Sequence, residues 1–331
     1  MKAISLVSGG LDSTLATKVI LEQGVEVIAA NFVSPFCRCD KKNGCRHEAN
    51  FVAEELNIPL KIMNVTKDFL EVLKSPKHGY GSNMNPCIDC RILMLKKSKE
   101  LMEAEGASFL ITGEVLGQRP MSQRRDAMNI IEKEAGVSGL VLRPLSARLL
   151  LPTIPEEKGW VDRQKLLDIS GRSRKVQMQM AHDYNIKDYP CPAGGCLLTD
   201  PHFARRIKDL VDHDELTMDD VKLLNHGRHF RISERARLIV GRNEHDNDML
   251  RVLRKQEDAF LMPAEDEPGA SALGRGDEFG KQEVMRFAAR ITSRYFDHKE
   301  KTVKIVILYK GKEGVVEVEP FNEEETKKYL V

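Results

Sequence analysis

The chain has no apolar run approaching the roughly 20 residues that span a bilayer, which excludes a membrane-crossing helix of the usual kind. It shows no signal-peptide pattern, because strand-like residues begin at Lys2 and Ser8-Gly9-Gly10 interrupts them, so a cytoplasmic location is expected. Charge of one sign is missing too: 51 Lys and Arg stand against 50 Asp and Glu. With a net charge of +1, the field of the whole molecule does not favour nucleic acid. There is no internal repeat, and the first glycine loop lacks the Lys that a Walker A sequence requires. What remains, 41% hydrophobic and 31% charged over 331 residues, is ordinary for a soluble chain long enough for two domains.

The organising stretch is at the start. Lys2–Val7 is an apolar run, Ser8-Gly9-Gly10-Leu11-Asp12-Ser13-Thr14 a glycine and hydroxyl loop, and Leu15–Leu21 has helical spacing. Strand, tight turn and helix start are predicted in that order. The paired glycines let backbone N–H groups crowd around an anion at the positive end of the helix. Asp12, Ser13 and Thr14 are placed to cap the helix, bind an oxyanion or hold Mg²⁺.

Further strands are expected at Val25–Val33, Leu60–Val65, Ser108–Thr112 and Leu140–Pro144, with helices at Arg46–Leu56, Arg91–Glu105 and Met128–Ala135. This alternation predicts a parallel sheet covered on both faces, with ligands beyond the carboxyl ends of its strands. Lys74–Asn85 reads as a flexible loop, Gly113–Gln123 as a second loop following a strand, and Asp162–Tyr184 as largely helical with a break near Gly171. The texture changes near residue 200. Helices at Phe203–Val211, Met218–Leu224 and Val284–Tyr295, a strand at Arg237–Val240, a loop at Pro263–Gly276 and a hairpin formed by Val303–Tyr309 and Gly314–Glu319 predict a smaller α+β domain over 201–331. Between His226 and Gln256, Arg228, Arg231, Arg235, Arg237, Arg242, Arg251, Arg254 and Lys255 outnumber Glu234, Glu244, Asp246 and Asp248. That arginine bias suits phosphate as well as a solvated surface.

Seven cysteines fall into three groups: Cys37, Cys39 and Cys45; Cys87 and Cys90; Cys191 and Cys196. In a cytosolic chain this points to metal or sulfur chemistry rather than disulfides. Cys87-x-x-Cys90 can hold one metal ion or cluster or act as a redox pair, and a helix start beside it would depress the thiol pKa values. Cys191 or Cys196 can complete the set. Three cysteines on a four-iron cluster leave one iron open for exogenous sulfide, structural zinc prefers four closed ligands, and persulfide chemistry needs only one or two thiols. Cys37, Cys39, Cys45 and His47 are a possible zinc set, a sulfur relay or unliganded side chains. Arg119, Arg124 and Arg125 lie in or just after the second loop, where they could meet phosphates.

Ser8–Thr14 resembles the signature of the PP-loop ATP pyrophosphatases, whose adenine-nucleotide alpha-hydrolase-like fold the resemblance implies for residues 1–200. Arg91–Met94, Leu110-Ile-Thr-Gly-Glu114, Leu116-Gly-Gln118, Ser122-Gln123, Leu142–Leu145 and Cys196 are together similar to the core of tRNA 4-thiouridine synthases and, more broadly, tRNA 2-thiouridylases. The resemblance implies that Ser8, Gly9, Gly10, Asp12, Ser13, Thr14, Gly113 and Gln118 bind ATP with Mg²⁺. It implies Asp12, Cys87, Cys90 and Cys196 as catalytic positions, the cysteines also holding an iron–sulfur cluster of the [4Fe–4S] type. Leu238–Asn243 with Asn247-Asp248 and Glu267–Gly269 resembles the small RNA-binding module of ribosome quality-control proteins. Without the N-terminal RNA-binding extension and C-terminal rhodanese domain of full-length relatives, sulfur is expected from free sulfide or a carrier protein. The expectation is an ATP-dependent thiolation of tRNA uridine, with a homodimer open. A small-molecule sulfur insertase or amidating ligase, and a non-catalytic RNA-binding iron–sulfur protein, are the alternatives.

Overall fold

Strand β1, Lys2–Leu6, is the middle of a five-stranded sheet, and its alternation explains why both faces are covered. Ala3 packs into one core with Leu15 and Val19 of helix α1, Leu11–Leu21. Ile4 and Leu6 point to the opposite core. The structure, a computed structural model, describes residues 1–38, 44–186, 195–264, 268–296 and 301–331, with backbone only for residues 38 and 44–47. It divides into two units, Met1–Thr199 and Asp200–Val331.

In the first unit β2, Glu26–Val33, is followed by the two-residue β3, Cys37–Arg38, helix α2, Gly44–Glu55, and β4, Leu60–Asn64. Helices α3, Thr66–Lys74, and α4, Cys87–Ala104, come next, then β5, Phe109–Thr112, α5, Arg125–Ala135, and β6, Val141–Leu142. The short α6, Ile154–Glu157, helix α7, Lys175–Asp183, and β7, Gly195–Cys196, complete it. The sheet order is β4-β2-β1-β5-β6, all parallel. Chain order therefore reverses on the two sides of β1, and the crevice beyond the ends of β1 and β5 is the switch point where such sheets bind ligands. Ile92, Leu95 and Met102 of α4 and Ile131 of α5 cover the face opposite α1.

Three expectations are corrected here. Helix α4 starts at Cys87 rather than Arg91, with Pro86 at the N-cap, so both cysteines sit inside its first turns. Asp162–Tyr184 is helical only at Arg163–Lys165, a 3₁₀ turn, and in α7. Between them the Leu167, Ile169 and Gly171 N–H groups donate to Pro144, Leu145 and Leu116 carbonyls, a tertiary pairing that overrides the helical spacing. Finally, β7 pairs antiparallel with β3, two short strands not assigned from the sequence.

The second unit begins with α8, Pro201–Asp212, and α9, Met218–Leu223. Strands β8, Arg228–Ser233, and β9, Ala236–Val240, precede α10, Glu244–Val252, β10, Ala259–Pro263, and β11, Ala272–Arg275. Helix α11, Gln282–Ser293, the hairpin β12, Val303–Tyr309, with β13, Lys312–Val318, and α12, Glu323–Lys327, end it. The six strands form one antiparallel sheet in the order β13-β12-β10-β11-β9-β8. The hairpin turns at Lys310 and Gly311, both with positive φ, as a two-residue turn matching strand twist demands. The loop expected over Pro263–Gly276 gives up Ala272–Arg275 to the sheet. No helix among the described residues is long and apolar enough to cross a membrane.

Candidate active site

Gly9 has φ +80°, and a Cβ there would stand 2.6 Å from Glu48 Cβ, so only glycine fits this turn. Gly10 is the N-cap of α1 and offers no side-chain cap. Ser13 Oγ donates back to the Gly10 carbonyl at 2.8 Å and Thr14 Oγ1 does so at 3.2 Å. The hydroxyls therefore shape the loop, and the expected capping by Asp12, Ser13 or Thr14 does not occur. The uncapped N–H groups of the first turn are left for an anion. Asp12 Oδ1 is buried without a hydrogen-bond partner, while Oδ2 lies 3.5 Å from Arg174 Nη2. Arg174, just ahead of α7, escaped the sequence reading because it sat in a stretch read as helix; its only signal was a cationic Arg172–Lys175 cluster.

Gly113 leaves the end of β5 against this loop. A Cβ on it would lie 2.5 Å from Ser13 N and 2.6 Å from the Asp12 carbonyl carbon. The following loop is closed by Gly117 N–H donating to the Gln123 carbonyl at 2.7 Å and Leu116 N–H to Ser146 Oγ at 2.9 Å. Gln118 Nε2 and Gln123 Oε1 are buried without partners. Buried polar atoms call for a partner, and three of those left without one lie in these two facing loops.

Glu114, 3% exposed, follows Gly113 directly. Its carboxylate accepts from Arg91 Nε at 2.9 Å and Arg143 Nε at 3.0 Å, and Arg143 also pairs with Glu132. Burial opposes ionisation of Glu114, but the two guanidinium groups outweigh it and hold the carboxyl below its ordinary range. Since Arg91 follows Cys90, this pair ties the cysteine helix to the exit of β5.

Cys87 Sγ donates to the buried Ser122 Oγ at 3.3 Å. Burial pushes the Cys90 thiol well up; Arg91 partly offsets this, and Cys87, Cys196 and Cys37 add to it. Cys196 is pushed up to about 11, again chiefly by burial, with Cys37 and Cys87 contributing and Arg119 opposing. At Cys90 the helix start does not depress the thiol as expected, because desolvation is the larger effect. Cys37, from a different sequence group, thus joins Cys87, Cys90 and Cys196. The zinc set expected at Cys37, Cys39, Cys45 and His47 finds no support: Cys37 is paired with Cys196, Cys39 lies outside the described residues, and so do the side chains of Cys45 and His47. Cys191 also lies outside them. Among the described residues no three His, Cys, Asp or Glu side chains could hold a metal ion. Cys87, Cys90 and Cys196 present thiols, the donor type that iron–sulfur clusters take. Arg124 pairs with Asp126, and Arg125 donates to the Leu149 carbonyl, so neither is held ready for phosphate.

Residues 1–148 match the family model described as thiamine biosynthesis protein (ThiI), and residues 227–330 match the NFACT protein RNA binding domain. The first unit carries a ThiI-type PP-loop domain. Among curated proteins, the chain is 29% identical over 176 residues to a probable tRNA sulfurtransferase of Methanobrevibacter smithii, covering 50% of this chain and 43% of that one. It is 29% identical over 131 residues to a tRNA-specific 2-thiouridylase MnmA of Geotalea uraniireducens, covering 34% of each. The chain thus spans under half the length of these relatives. A 4-thiouridine synthetase–RNA complex with bound ATP superposes with a TM-score of 0.40 at 24% identity, over 67% of this chain and 52% of that one. On the ATP reading proposed below, Gly113→Ala is expected to weaken nucleotide binding about 10- to 100-fold by calorimetry. The added methyl meets backbone that can only move apart, at about 1–3 kcal/mol.

In the second unit the arginine run is largely neutralised within the fold. Arg231 pairs with Asp209 and Glu215, Arg237 with Glu215 and Asp220, Arg235 with Asp277, and Arg242 with Asp246. Burial opposes the Asp246 charge, but Arg242 and the Gly227 N–H outweigh it and hold that carboxyl far below its usual range. Arg228 lies over the Tyr295 ring at 4.6 Å, beside a hollow of about 370 Å³ that Arg242, Asn243 and Asn247 also line. Among the described residues, the expectation of a phosphate-seeking run therefore narrows to Arg228, Arg251 and Arg254, which lie over the Tyr295 and Phe260 rings rather than in ion pairs.

Proposed function

We propose that the chain is an ATP-dependent tRNA sulfurtransferase that replaces a uridine carbonyl oxygen with sulfur. The observation that carries this reading is the meeting of three parts: an uncapped glycine loop with the unpartnered Asp12 Oδ1, a second loop with orphaned Gln118 and Gln123 atoms, and a helix from that second loop's salt bridge bearing Cys87 and Cys90. The relatives named for tRNA sulfur transfer and the NFACT RNA-binding match support tRNA as substrate.

In this reading the α1 N–H groups with Ser8–Thr14 hold the ATP phosphates. Gly113 allows close approach, and Gln118 hydrogen-bonds the nucleotide. Asp12 would hold Mg²⁺, which when bound neutralises charge on the pyrophosphate. Arg174 balances Asp12 before ATP arrives and is placed to meet the same phosphates. The uridine carbonyl oxygen attacks the α-phosphorus, pyrophosphate leaves, and the ring carbon now carries AMP as a good leaving group. Sulfur presented at Cys196 adds to that carbon and AMP departs. In the alternative to a Cys196 persulfide, Cys87, Cys90 and Cys196 would hold a [4Fe–4S] cluster, which when bound supplies an open iron for sulfide. The sulfur donor is a free sulfide or persulfide source or a carrier protein, and the active species is a monomer or homodimer.

Nucleoside mass spectrometry of tRNA from a strain lacking the gene is expected to show one thiouridine missing, restored by the wild-type chain. Mapping that nucleotide gives the position and distinguishes carbon 2 from carbon 4. Unchanged tRNA, together with ATP turnover on a small acid, would move the reading to a small-molecule ligase.

A further inference from the structure

We infer that the hollow beside Arg228 is a socket for one unpaired nucleobase that carries an exocyclic amino group. The inference rests on the proposed tRNA reading and adds which part of an RNA the second unit takes hold of. The hollow measures about 370 Å³, with Arg228, Arg242, Asn243, Glu244, Asn247 and Tyr295 in its lining. That is the small end of the range for ligand sites, sized for one nucleoside rather than a duplex.

Its walls are set before any ligand arrives. The Arg228 guanidinium lies over the Tyr295 ring at 4.6 Å and donates from Nη1 to the Gly241 carbonyl at 3.3 Å. Tyr295 is itself backed by the buried Phe230 ring, with centroids 6.3 Å apart. Asn247 Oδ1 accepts from the Ser271 N–H at 3.0 Å, and its Nδ2 donates to the Gly269 carbonyl at 3.4 Å. These two bonds fasten the segment leading into β11 against α10. Asn243 caps α10 by accepting the Asp246 N–H at 2.9 Å, which leaves its Nδ2 hydrogens for a ligand.

The charge around the hollow is balanced, which argues against a site for phosphate alone. Arg242 is matched to Asp246. Arg228 has no carboxylate partner among the described residues, and it shares the lining with the Glu244 carboxylate, which has no cationic partner among them. A phosphate would be drawn to the first and repelled by the second. A flat, uncharged base suits both. Bases splayed out of an RNA strand stack on guanidinium planes as they do on aromatic rings, and a ring-backed Arg228 offers such a plane. Glu244 can only accept hydrogen bonds, so it favours the amino hydrogens of adenine, cytosine or guanine. Uracil has carbonyl oxygens on both sides of its one N–H and would set them against the carboxylate. In a duplex these edges are engaged by the opposite strand, so the base must be unpaired.

The test uses the full chain and fluorescein-labelled RNA hexamers, with affinity read from anisotropy. One hexamer is all uridine; in three others a single central uridine is replaced by adenosine, cytidine or guanosine. Neither ATP nor thiolation enters, so failure here is separate from failure of the tRNA reading, which nucleoside mass spectrometry decides. Wild type is expected to bind each replaced hexamer at least about fivefold more tightly than the all-uridine one. Arg228→Lys keeps the charge but loses the plane, and is expected to weaken the replaced hexamers about tenfold. Glu244→Gln, at an exposed helix start, is expected to melt with wild type and to erase the preference over uridine. Equal affinity of wild type for all four hexamers, or no binding of any, overturns the inference. So does a preference that survives in Glu244→Gln. Tighter binding of an RNA hairpin duplex than of the hexamers, falling steeply with salt, would make this face a phosphate grip and also overturn it.

Discussion

Asp12→Asn is expected to lower ATP-dependent pyrophosphate release by about 10²–10³-fold, the usual cost of removing one preorganised electrostatic group from a reacting phosphate. The substitution keeps shape and removes charge. Little else depends on that charge: among the described residues Oδ1 has no partner, and the ion pair with Arg174 at 3.5 Å is worth roughly 1 kcal/mol or less. A thermal scan should therefore move by no more than about 4 °C. A coupled pyrophosphate assay and a melt on the same preparation decide the matter. Intact pyrophosphate release with a large fall in Tm would make Asp12 a structural residue and leave the phosphate loop without its metal partner.

Glu114→Gln should do the reverse, with its largest effect on stability. It would leave Arg91 and the nearly buried Arg143 short of a counter-charge, although Glu132 still faces Arg143. Breaking a buried pair on one side costs about 3–5 kcal/mol, which for a unit of this size is a fall in Tm of about 10 °C. The pH dependence carries a second signature. The folded carboxyl titrates below its ordinary value of 4.5, so its stabilisation is complete above that value and is lost as pH falls through the folded value. Wild type should lose stability more steeply below pH 4.5 than the variant, as followed by denaturant titrations across that range. Equal slopes would show that Glu114 is not the group that titrates.

The parallel sheet was legible because β1, β2 and β5 are buried on both faces and read as continuous apolar runs. The phosphate loop was legible because two adjacent glycines before Asp12-Ser13-Thr14 have few other uses. Arg174 was not, since its position is set by hydrogen bonds from Leu167, Ile169 and Gly171 to distant carbonyls, and local spacing says nothing of these. The start of α4 was missed because Cys87 and Cys90 were read as lying just ahead of the helix, whereas a proline outside the first turn leaves Cys87 free to begin it. Strands β8 and β11 were hidden by their charges. Arg231, Arg237 and Arg275 lie in or beside an antiparallel sheet only because Asp209, Glu215, Asp220 and Asp258 wait for them, a match between segments that no single window contains. Cys37 was grouped with its neighbours in sequence; the two-residue β3–β7 ladder regrouped it with Cys196.

The internal pairing of the arginine run has one more consequence, for the way the second unit can grip a polyanion. Each phosphate that a free cation neutralises sheds a condensed counterion, and the number shed sets how steeply affinity falls with salt. Arg231, Arg235, Arg237 and Arg242 are already matched to carboxylates and would shed none without first breaking an ion pair. A nucleic acid seated near Arg228, Asn243 and Asn247 would be held there mainly by shape and directed hydrogen bonds. Its hold on this face would be comparatively indifferent to ionic strength.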